Sequence, residues 1–334
     1  MESHLVTGAT GLVGMHIVLD LLNQNKKVCA TFTKNSNRSI IKHVFNHYGF
    51  SNYYDKVKWI KMDLEDVTEV YQAIKGVDFV YHSGAIVSFN KSDYEQMRRI
   101  NIEGTTNIVN ACLEHKIKKL AFISSVASIG REGKGKYSEK NKWNSRKENS
   151  FYALTKYKAE NEVWRGIEEG LNAVITNPGI IIGPSHWGRS STTIFKQIHK
   201  GLSYFPEGKN GFIDVRDVAR ATIALMDSKI NRERFILVGE NLPYKSVFDD
   251  IALCLNKPKP YKKATKSLLE IAWRLEAIRC FITNKKQSIT KETARTASQI
   301  NIYENQKIIN ALNYNFKTIK EAISNTSKFL LKVK

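Results

Sequence analysis

Hydrophobic residues in the first half of the chain form short runs, and longer stretches of mixed polarity separate one run from the next. Six runs have the length and side chains typical of buried strands, at residues 4–7, 28–32, 57–61, 77–82, 120–124 and 172–177. After the first run, residues 12–22 have apolar side chains at helical spacing. Strands that alternate with helices predict βαβ units, and therefore an α/β fold with a doubly wound parallel sheet.

Three glycines lie between the first predicted strand and the first predicted helix, in the segment HLVTGATGLVG. We expect Gly8 to permit a tight turn, Gly11 to let main-chain N–H groups approach a pyrophosphate, and Gly14 to let the helix pack closely against the strand. The helix N-terminus then faces the anion, so this turn predicts a dinucleotide site. Three further residues of the turn are predicted cofactor contacts: Thr10, Leu12 and Val13.

The residues that follow the second strand bear on the choice of cofactor. Thr33 and Lys34 stand where an NAD enzyme of this type usually has an acidic residue for the ribose diol. Lys34, with Arg38 nearby, is suited to receive the 2′-phosphate of NADP, so we expect NADP to be preferred over NAD. The alternative is that both are ordinary surface cations.

The ends of the third and fourth strands supply further predicted cofactor contacts. Asp63 and Leu64 follow the third strand, where they are placed to meet the adenine. Ser83, Gly84 and Ala85 follow the fourth strand and bring small residues close to the phosphates or the ribose. Either segment is alternatively a structural turn.

Tyr152 and Lys156 form a YxxxK pattern on a predicted helix, after a strand that ends in two serines. Because residues four apart are neighbours on a helix, Lys156 can place its charge beside the phenol. Lowering a phenol pKa from near 10 towards 7 takes ~4 kcal/mol, which Lys156 and an oxidised nicotinamide can supply together. Tyr152 then exchanges a proton with a substrate oxygen that Ser125 holds. The alternative is a half-buried tyrosine and a solvated lysine.

Charge and composition limit the partners of the chain. The 334 residues have a net charge of +20, which suits nucleic acid or an anionic membrane surface. The basic residues are dispersed, however, and no basic motif is interleaved with aromatic residues, so no dedicated nucleic-acid site is expected. A basic pocket for an anionic cofactor or substrate stays open. No apolar run reaches the roughly 20 residues of a membrane span, and we expect a cytoplasmic location.

Cysteine and histidine positions predict neither disulfides nor a metal site. The four cysteines are scattered without a CxxC pair, at positions 29, 112, 254 and 280, and are expected to be reduced, mostly packed thiols. His43 and His47 have helical spacing but no third candidate ligand.

Several of these segments resemble the short-chain dehydrogenase/reductase superfamily in its extended branch, and the resemblance covers nearly the whole chain. TGATGLVG is similar to the cofactor turn of that branch, FISSVASIG to its serine strand and YALTK to its active-site helix. Ser125, rather than Ser124, matches the catalytic serine. Asn101 falls in the helix beside the site and is expected to be structural.

The resemblance also implies a Rossmann-type domain and a smaller C-terminal substrate lobe. NPGIIIGP, residues 177–184, is similar to the segment that lines the nicotinamide, so Pro178, Gly179 and Ile181 are predicted cofactor contacts. FIDVRDVARA is similar to the return to the nucleotide domain. The predicted domains are residues 1–178 with a return at about 209–239, and a substrate lobe of 179–208 and 240–334.

The lobe that follows is expected to select the substrate. Ser88, His186 and Trp187 are predicted substrate contacts, near an apolar wall that includes Phe195. Residues 131–150 form either a lid or a solvated loop. Apolar residues at helical spacing between 268 and 281 predict an amphipathic helix that docks on its own lobe or on a partner subunit rather than on a membrane.

Within the branch, the chain is most similar to dihydroflavonol-4-reductase-like enzymes, which commonly have an arginine where Thr33 stands. The resemblance implies an NADP-preferring reductase or dehydrogenase for an aldehyde, ketone or secondary alcohol on an apolar body, and favours a homodimer. Two alternatives remain: a nucleotide-sugar epimerase or dehydratase that retains NAD, and a non-catalytic protein that senses dinucleotides.

Overall fold

The computed structural model describes residues 2–131, 135–144, 149–283, 287 and 289–333. The strands are β1 (Ser3–Thr7), β2 (Lys27–Phe32), β3 (Lys58–Lys61), β4 (Phe79–His82), β5 (Lys119–Ile123), β6 (Lys136–Tyr137), β7 (Ala173–Pro178), β8 (Ile180–Ile182), β9 (Tyr204–Pro206), β10 (Lys209–Asp214), β11 (Glu233–Leu237), β12 (Glu240–Pro243), β13 (Lys262–Ala264) and β14 (Ile302–Tyr303). The helices are α1 (Leu12–Asn23), α2 (Ser39–His47), α3 (Val67–Ile74), α4 (Tyr94–Met97), α5 (Gly104–Glu114), α6 (Phe151–Glu168), α7 (Thr192–His199), α8 (Val215–Asp227), α9 (Tyr244–Cys254), α10 (Lys266–Thr283), α11 (Lys291–Ala297), α12 (Gln306–Leu312) and α13 (Ile319–Lys332).

The main sheet has seven parallel strands in the order β11-β7-β5-β4-β1-β2-β3. Six of them are the strands predicted from sequence, with bounds that differ by at most two residues. The chain runs outward from β1 to β2 and β3 on one side, and then from β4 to β5 and β7 on the other. The strand order therefore reverses between β1 and β4, the position at which doubly wound sheets bind ligands. The predicted Rossmann-type α/β fold is confirmed.

Successive residues of each central strand face opposite sides of the sheet, and each side has its own core. Val6 of β1 packs in the core that α1 and α8 cover, whereas the preceding Leu5 packs in the core that α3, α5 and α6 cover. This burial on both sides explains why the strands are continuous apolar runs rather than alternating ones.

Smaller sheets connect the C-terminal half to the main body. β12, β10 and β8 form a three-stranded sheet, and β9 pairs with β13. β6 pairs in parallel with β14, so part of the 131–150 segment is joined to the C-terminal region by main-chain hydrogen bonds. In the same segment, the Trp143 ring stacks on Tyr157 of α6, with ring centroids 4.4 Å apart. The described residues 135–144 are thus neither a free lid nor a solvated loop. Residues 132–134 and 145–148 lie outside the described part, and the predicted division into domain and lobe stays a prediction.

Helix α10 is present where the spacing predicts it, but its apolar side chains are not all packed. Leu268, Ile271, Leu275 and Ile278 are exposed, Leu275 to 61%. The prediction that these four residues dock on the lobe of their own chain is therefore wrong, and docking on a partner subunit stays a prediction. The side of α10 that does pack against the chain is a second, smaller stripe that ends in Cys280. The side chain of Phe281 lies outside the described part. Among the described residues, no helix is long and apolar enough to cross a membrane.

Candidate functional site

The glycine turn after β1 has little room for any side chain. Gly8 has a φ of +63°, and a Cβ there would lie 2.6 Å from Cα of Gly84. A Cβ on Gly14 would clash with the carbonyl oxygen of Gly8 and lie 2.8 Å from Cα of Ala9. Gly11 is exposed at the start of α1, and its N–H donates to the Gly8 carbonyl at 2.9 Å. The turn therefore presents bare main chain and a helix N-terminus at the point where the strand order reverses, which fits a dinucleotide pyrophosphate.

Beneath this turn, a buried histidine connects β1, β4 and α5 through hydrogen bonds. Thr105 Oγ1 donates to the Asn101 carbonyl at 2.7 Å and so accepts from His82 Nε2 at 3.0 Å. His82 Nδ1 then accepts from Thr7 Oγ1 at 2.7 Å, and Thr7 Oγ1 accepts from the Gly84 N–H at 3.3 Å. Burial lowers the pKa of His82 to about 3, so the ring is neutral and this donor order is maintained. The sequence analysis did not single out His82, although it directly precedes the strand end at Ser83.

A cleft of about 590 Å³ lies at the ends of β2 and β3. Its lining includes Thr33, Lys34 and Asp63, three of the residues predicted to meet the adenosine. Leu64 is instead buried against Gly84, where its Cδ1 lies 2.9 Å from the position a Cβ would take. The Arg38 guanidinium lies 4.3 Å from the centroid of the Phe32 ring.

Ser125 and Tyr152, predicted to share a substrate oxygen, lie together at the end of β5. Ser125 has extended backbone, and its Oγ accepts from the N–H of Ala127 at 3.1 Å. Tyr152 is in the first turn of α6, which Ser150 caps by accepting from the Ala153 N–H at 3.0 Å. Burial raises the pKa of Tyr152 to about 12, and a hydrogen bond with Ser125 partly opposes that rise. Phe89 meets the Tyr152 ring edge to face.

Lys156 is buried one turn after Tyr152. Its Nζ donates to the Ile123 carbonyl at 2.8 Å and lies 4.4 Å from the centroid of the Phe122 ring. Burial lowers the pKa of Lys156 to about 7, and the negative charge of Glu160 opposes that fall. At neutral pH the lysine is therefore close to its point of half-protonation. The lowering of the Tyr152 pKa by Lys156 stays a prediction.

Glu160, a further turn along α6, is a buried carboxylate with donors from several elements. Its Oε2 accepts from Ser124 Oγ at 2.7 Å, from Ser128 Oγ at 2.7 Å and from Asn177 Nδ2 at 2.8 Å. Its Oε1 accepts from Arg234 Nη1 at 3.1 Å. The sequence analysis missed this group, although the spacing of Tyr152, Lys156 and Glu160 by four places all three on one helix face.

Asn101 connects the end of β4 to α6, as expected of a structural residue. Its Oδ1 accepts from the Ile86 N–H at 2.7 Å, and its Nδ2 donates to the Ile86 carbonyl at 2.9 Å and to Thr155 Oγ1 at 3.1 Å. Thr155 Oγ1 in turn donates to the Tyr152 carbonyl at 2.8 Å. Asn101 lies in a π-helical turn, residues Arg98–Glu103, a backbone form that often occurs at functional sites.

The other predicted contacts are distributed over several places. Ser88 donates to Asp93 at 2.7 Å. Pro178 is buried at the end of β7, and a Cβ on Gly179 would lie 2.5 Å from the carbonyl oxygen of Gly211. His186 and Trp187 line a second pocket, of about 350 Å³, whose lining includes none of the predicted catalytic residues. Ile181 is half-buried in β8, while Ala85 is exposed. Among the described residues, no group of three or more His, Cys, Asp or Glu is arranged to hold a metal ion.

The fold, with a glycine turn where the strand order reverses, is that of a dinucleotide-binding α/β protein. A sequence model of the NAD dependent epimerase/dehydratase family matches residues 4–239. The chain therefore belongs to that family, and the resemblance stated from its motifs is confirmed.

Two relatives show the range of proteins to which the chain is similar. Sterol demethylase protein B of Methylococcus capsulatus is 26% identical over 258 residues, which cover 77% of this chain and 75% of that protein. A candidate dihydroflavonol 4-reductase of Synechocystis is 27% identical over 335 residues, covering 97% and 93%. The predicted likeness to dihydroflavonol-4-reductase-like enzymes is thus confirmed.

Solved structures with the same fold span nearly the full length of the chain. The crystal structure of gox2253 superposes with a TM-score of 0.82 at 25% identity and covers 100% of this chain and 99% of that one. MoeE5 in complex with UDP-glucose and NAD has a TM-score of 0.74 at 16% identity and covers 99% of both chains. The second likeness shows the fold alone.

Proposed function

We propose that the protein is an NAD(P)-dependent reductase or dehydrogenase that acts on an aldehyde, ketone or secondary alcohol. The observation that supports this proposal is the meeting of Ser125, Tyr152 and Lys156 at the end of β5, two strands from the glycine turn. A proton-transfer group and a dinucleotide turn at the same edge of one sheet suit a reaction that moves a proton and a hydride together.

The dinucleotide fits the main chain of the glycine turn and the cleft at the end of β2 and β3. Gly8, Gly11 and Gly14 would hold the pyrophosphate, and Thr33 and Asp63 would hold the adenosine. Thr10, Leu12, Val13, Lys34, Ser83, Gly84, Ala85, Pro178, Gly179 and Ile181 are the further contacts that we propose. When bound, NAD(P) supplies or accepts a hydride at its nicotinamide ring.

Tyr152 supplies the proton in this proposal. With its pKa raised to about 12 by burial, the phenol is neutral at pH 7 and is ready to donate a hydrogen bond to a carbonyl oxygen. Ser125, which already hydrogen-bonds with Tyr152, would hold the same oxygen. Lys156 lies one turn away, and its protonated form would stabilise the phenolate that remains after proton transfer.

An apolar substrate fits the surroundings of Tyr152. Phe89 contacts the Tyr152 ring, and Phe151 stacks on Tyr94 with ring centroids 4.0 Å apart. The names of the two relatives, a sterol demethylase protein and a flavonol-type reductase, suggest substrates with apolar ring systems. We further propose that NADP is preferred over NAD, that the protein is cytoplasmic and that it forms a homodimer.

A nucleotide-sugar epimerase or dehydratase is the second candidate, because the matching family includes such enzymes. Such an enzyme oxidises and re-reduces its substrate, so it predicts turnover without net consumption of NAD(P)H. A non-catalytic dinucleotide sensor predicts binding without turnover of either kind.

The test is the oxidation of NADPH and NADH by purified protein with aromatic aldehydes, flavanonols, steroid ketones and nucleotide sugars. We expect substrate-dependent oxidation that Tyr152→Phe reduces by at least about a hundredfold, with unchanged cofactor affinity, because only the proton-transfer group is lost. Tyr71→Phe is the matched control, since Tyr71 lies on helix α3 and also precedes by four residues a lysine, Lys75, which follows the last residue of that helix. Near-normal activity of Tyr152→Phe would contradict the mechanism.

A further inference from the structure

The pocket of about 350 Å³ lies between three segments that are distant in sequence. One wall is the start of α2, with Asn37, Ser39 and His43. The second wall is the segment after β8, which contributes His186 and Arg189 among others, and the end of α13 closes the third side.

The lining of this pocket is rich in hydrogen-bond donors and has no acidic side chain. Within the described part of the chain, the Arg189 guanidinium forms no ion pair or hydrogen bond. Burial lowers the pKa of His186, and the positive charge of the nearby Arg189 lowers it further, so the His186 ring is mostly neutral at pH 7. The Arg189 guanidinium, together with the neighbouring imidazole rings and the Asn37 and Ser185 side chains, offers the partners that a phosphate monoester requires.

The pocket adjoins the place where the adenosine ribose of a dinucleotide must lie. Thr33 lines the adenosine cleft and Asn37 lines the pocket, so the turn between them separates the two. Ser36, within that turn, accepts from the Thr33 N–H at 2.9 Å and from Thr10 Oγ1 of the glycine turn at 3.4 Å. A ribose between a pyrophosphate at the glycine turn and an adenine in the cleft is therefore beside this wall.

Charge distinguishes the two sides of the wall. The adenosine cleft has four carboxylates, those of Asp63, Glu65, Asp66 and Glu69, against Lys34 and Lys61. Lys61 is already paired with Glu69 at 3.2 Å. A doubly charged phosphate is disfavoured among these carboxylates and favoured in the pocket, whose lining has the Arg189 guanidinium and no carboxylate.

We propose that this pocket binds a phosphate monoester, with Arg189 and His43 as its main contacts, and that the group it takes is the 2′-phosphate of NADP. The proposal rests on the dinucleotide site of the proposed function. It assigns the NADP preference to residues after β8, because Thr33 stands after β2 at the position where similar enzymes commonly have an arginine. His186 is then a neighbour of the cofactor phosphate rather than a substrate contact.

Calorimetric titration with ADP-ribose and with its 2′-phosphorylated form tests this proposal, since neither compound can undergo hydride transfer. We expect the wild-type chain to bind the 2′-phosphorylated form more tightly. Arg189→Gln should weaken that binding about tenfold and leave ADP-ribose binding within about twofold, because one charge-assisted contact is lost. His43→Asn tests the opposite wall in the same way, and Lys257→Gln, an exposed lysine outside the lining, is the charge-matched control.

Inorganic phosphate is the second probe. Phosphate that occupies the pocket should compete with the 2′-phosphorylated ligand and leave ADP-ribose binding unchanged. Equal binding of the two ligands by the wild type, equal weakening of both by Arg189→Gln, or no effect of either pocket variant would overturn the phosphate site while the dinucleotide site stands. Failure of the wild type to bind either ligand would overturn both proposals.

Discussion

Glu160 is the residue whose removal has the most specific predicted consequence. Glu160→Gln keeps the size of the side chain but replaces a carboxylate oxygen by an NH₂ group, which faces groups that are themselves hydrogen-bond donors. The substitution also removes the negative charge that opposes the fall of the Lys156 pKa. We expect a loss of about 2–4 kcal/mol in the free energy of unfolding. The Lys156 pKa should fall below about 7, which moves the pH dependence of kcat/KM to lower pH.

Urea unfolding and the pH profile of kcat/KM measure these two effects. Glu162→Gln is the control, because Glu162 is on the same helix and pairs with Arg165 near the surface. Such pairs contribute about 0–1 kcal/mol. Equal stability of the two variants would contradict the structural role of Glu160, and an unshifted pH profile for Glu160→Gln would contradict its effect on Lys156.

Gly14 tests the glycine turn. Gly14→Ala places a methyl group against main-chain atoms of Gly8 and Ala9, which have no freedom to move away within a tight turn. We expect a cost of about 1–3 kcal/mol in unfolding free energy and strongly reduced dinucleotide binding, because the helix N-terminus is displaced. Thermal unfolding and calorimetric titration measure both. Gly239→Ala is the control, since its Cβ meets no atom closer than 3.5 Å; normal dinucleotide binding by Gly14→Ala would disprove the role of close packing.

At the residue scale, the sequence predicted those residues whose role depends only on their neighbours along the chain. Gly8 and Gly14 were predictable because a tight turn and a close helix contact both restrict side-chain size within one short segment. Glu160 and His82 were not predicted, because their roles depend on donors from strands far away in sequence, such as Asn177 and Arg234 for Glu160. A lone charged residue in a helix gives no sign of such partners.

At the element scale, the contact between α1 and α8 contains a half-buried acid, Asp20, whose Oδ2 atom is buried without a hydrogen-bond partner among the described residues. Burial raises the pKa of Asp20 to about 6 although Arg216 and Arg220 of α8 lower it. Between about pH 4 and 6 the folded chain therefore binds more protons than the unfolded chain, so this residue makes stability fall as the pH rises through that window.

Asp20→Asn should remove the loss of stability that comes from ionising this carboxyl group in the folded chain. We expect the variant to be more stable than the wild type by about 1–3 kcal/mol at about pH 7.5, and to show no such gain at about pH 3, where the carboxyl is protonated in both states. Urea unfolding at the two pH values measures the difference. The control is Asp227→Asn, whose carboxylate is exposed and lies 3.7 Å from Lys26. A destabilised Asp20→Asn at neutral pH would show that the arginines of α8 outweigh burial.

Hydrophobic periodicity predicted that an element exists better than it predicted what the element packs against. Five of the six predicted strands were predictable because both of their faces are buried, which produces continuous apolar runs; β3, at the edge of the sheet, has only half-buried apolar residues between two exposed lysines. For α10, apolar residues occupy two stripes, and spacing alone does not show which stripe is packed. The packed stripe includes Leu269, Ala272 and Cys280, while Leu275 and Ile278 face outward.

At the scale of the whole molecule, the sheet topology follows from the alternation of elements, but the distribution of charge does not follow from the net charge. The +20 chain has a cleft at the ends of β2 and β3 with more acidic than basic side chains, and a neighbouring pocket that is lined by Arg189 and by no acidic side chain. Which cations share a pocket depends on contacts such as those between α2, the segment after β8 and α13. These contacts join segments that are distant in sequence, so they cannot be predicted from the composition.

The pairing of β6 with β14 has a consequence for the order in which the protein is made. Lys136 can pair with Ile302, and the Phe151 N–H at the start of α6 can donate to Glu292, only after these later residues have been made. A ribosome must therefore extend the chain to residue 302 before all of these contacts can form, whereas the glycine turn and its neighbouring strands can form much earlier. The nascent chain thus acquires the glycine turn before the first turn of α6, which contains Tyr152, has all of its contacts.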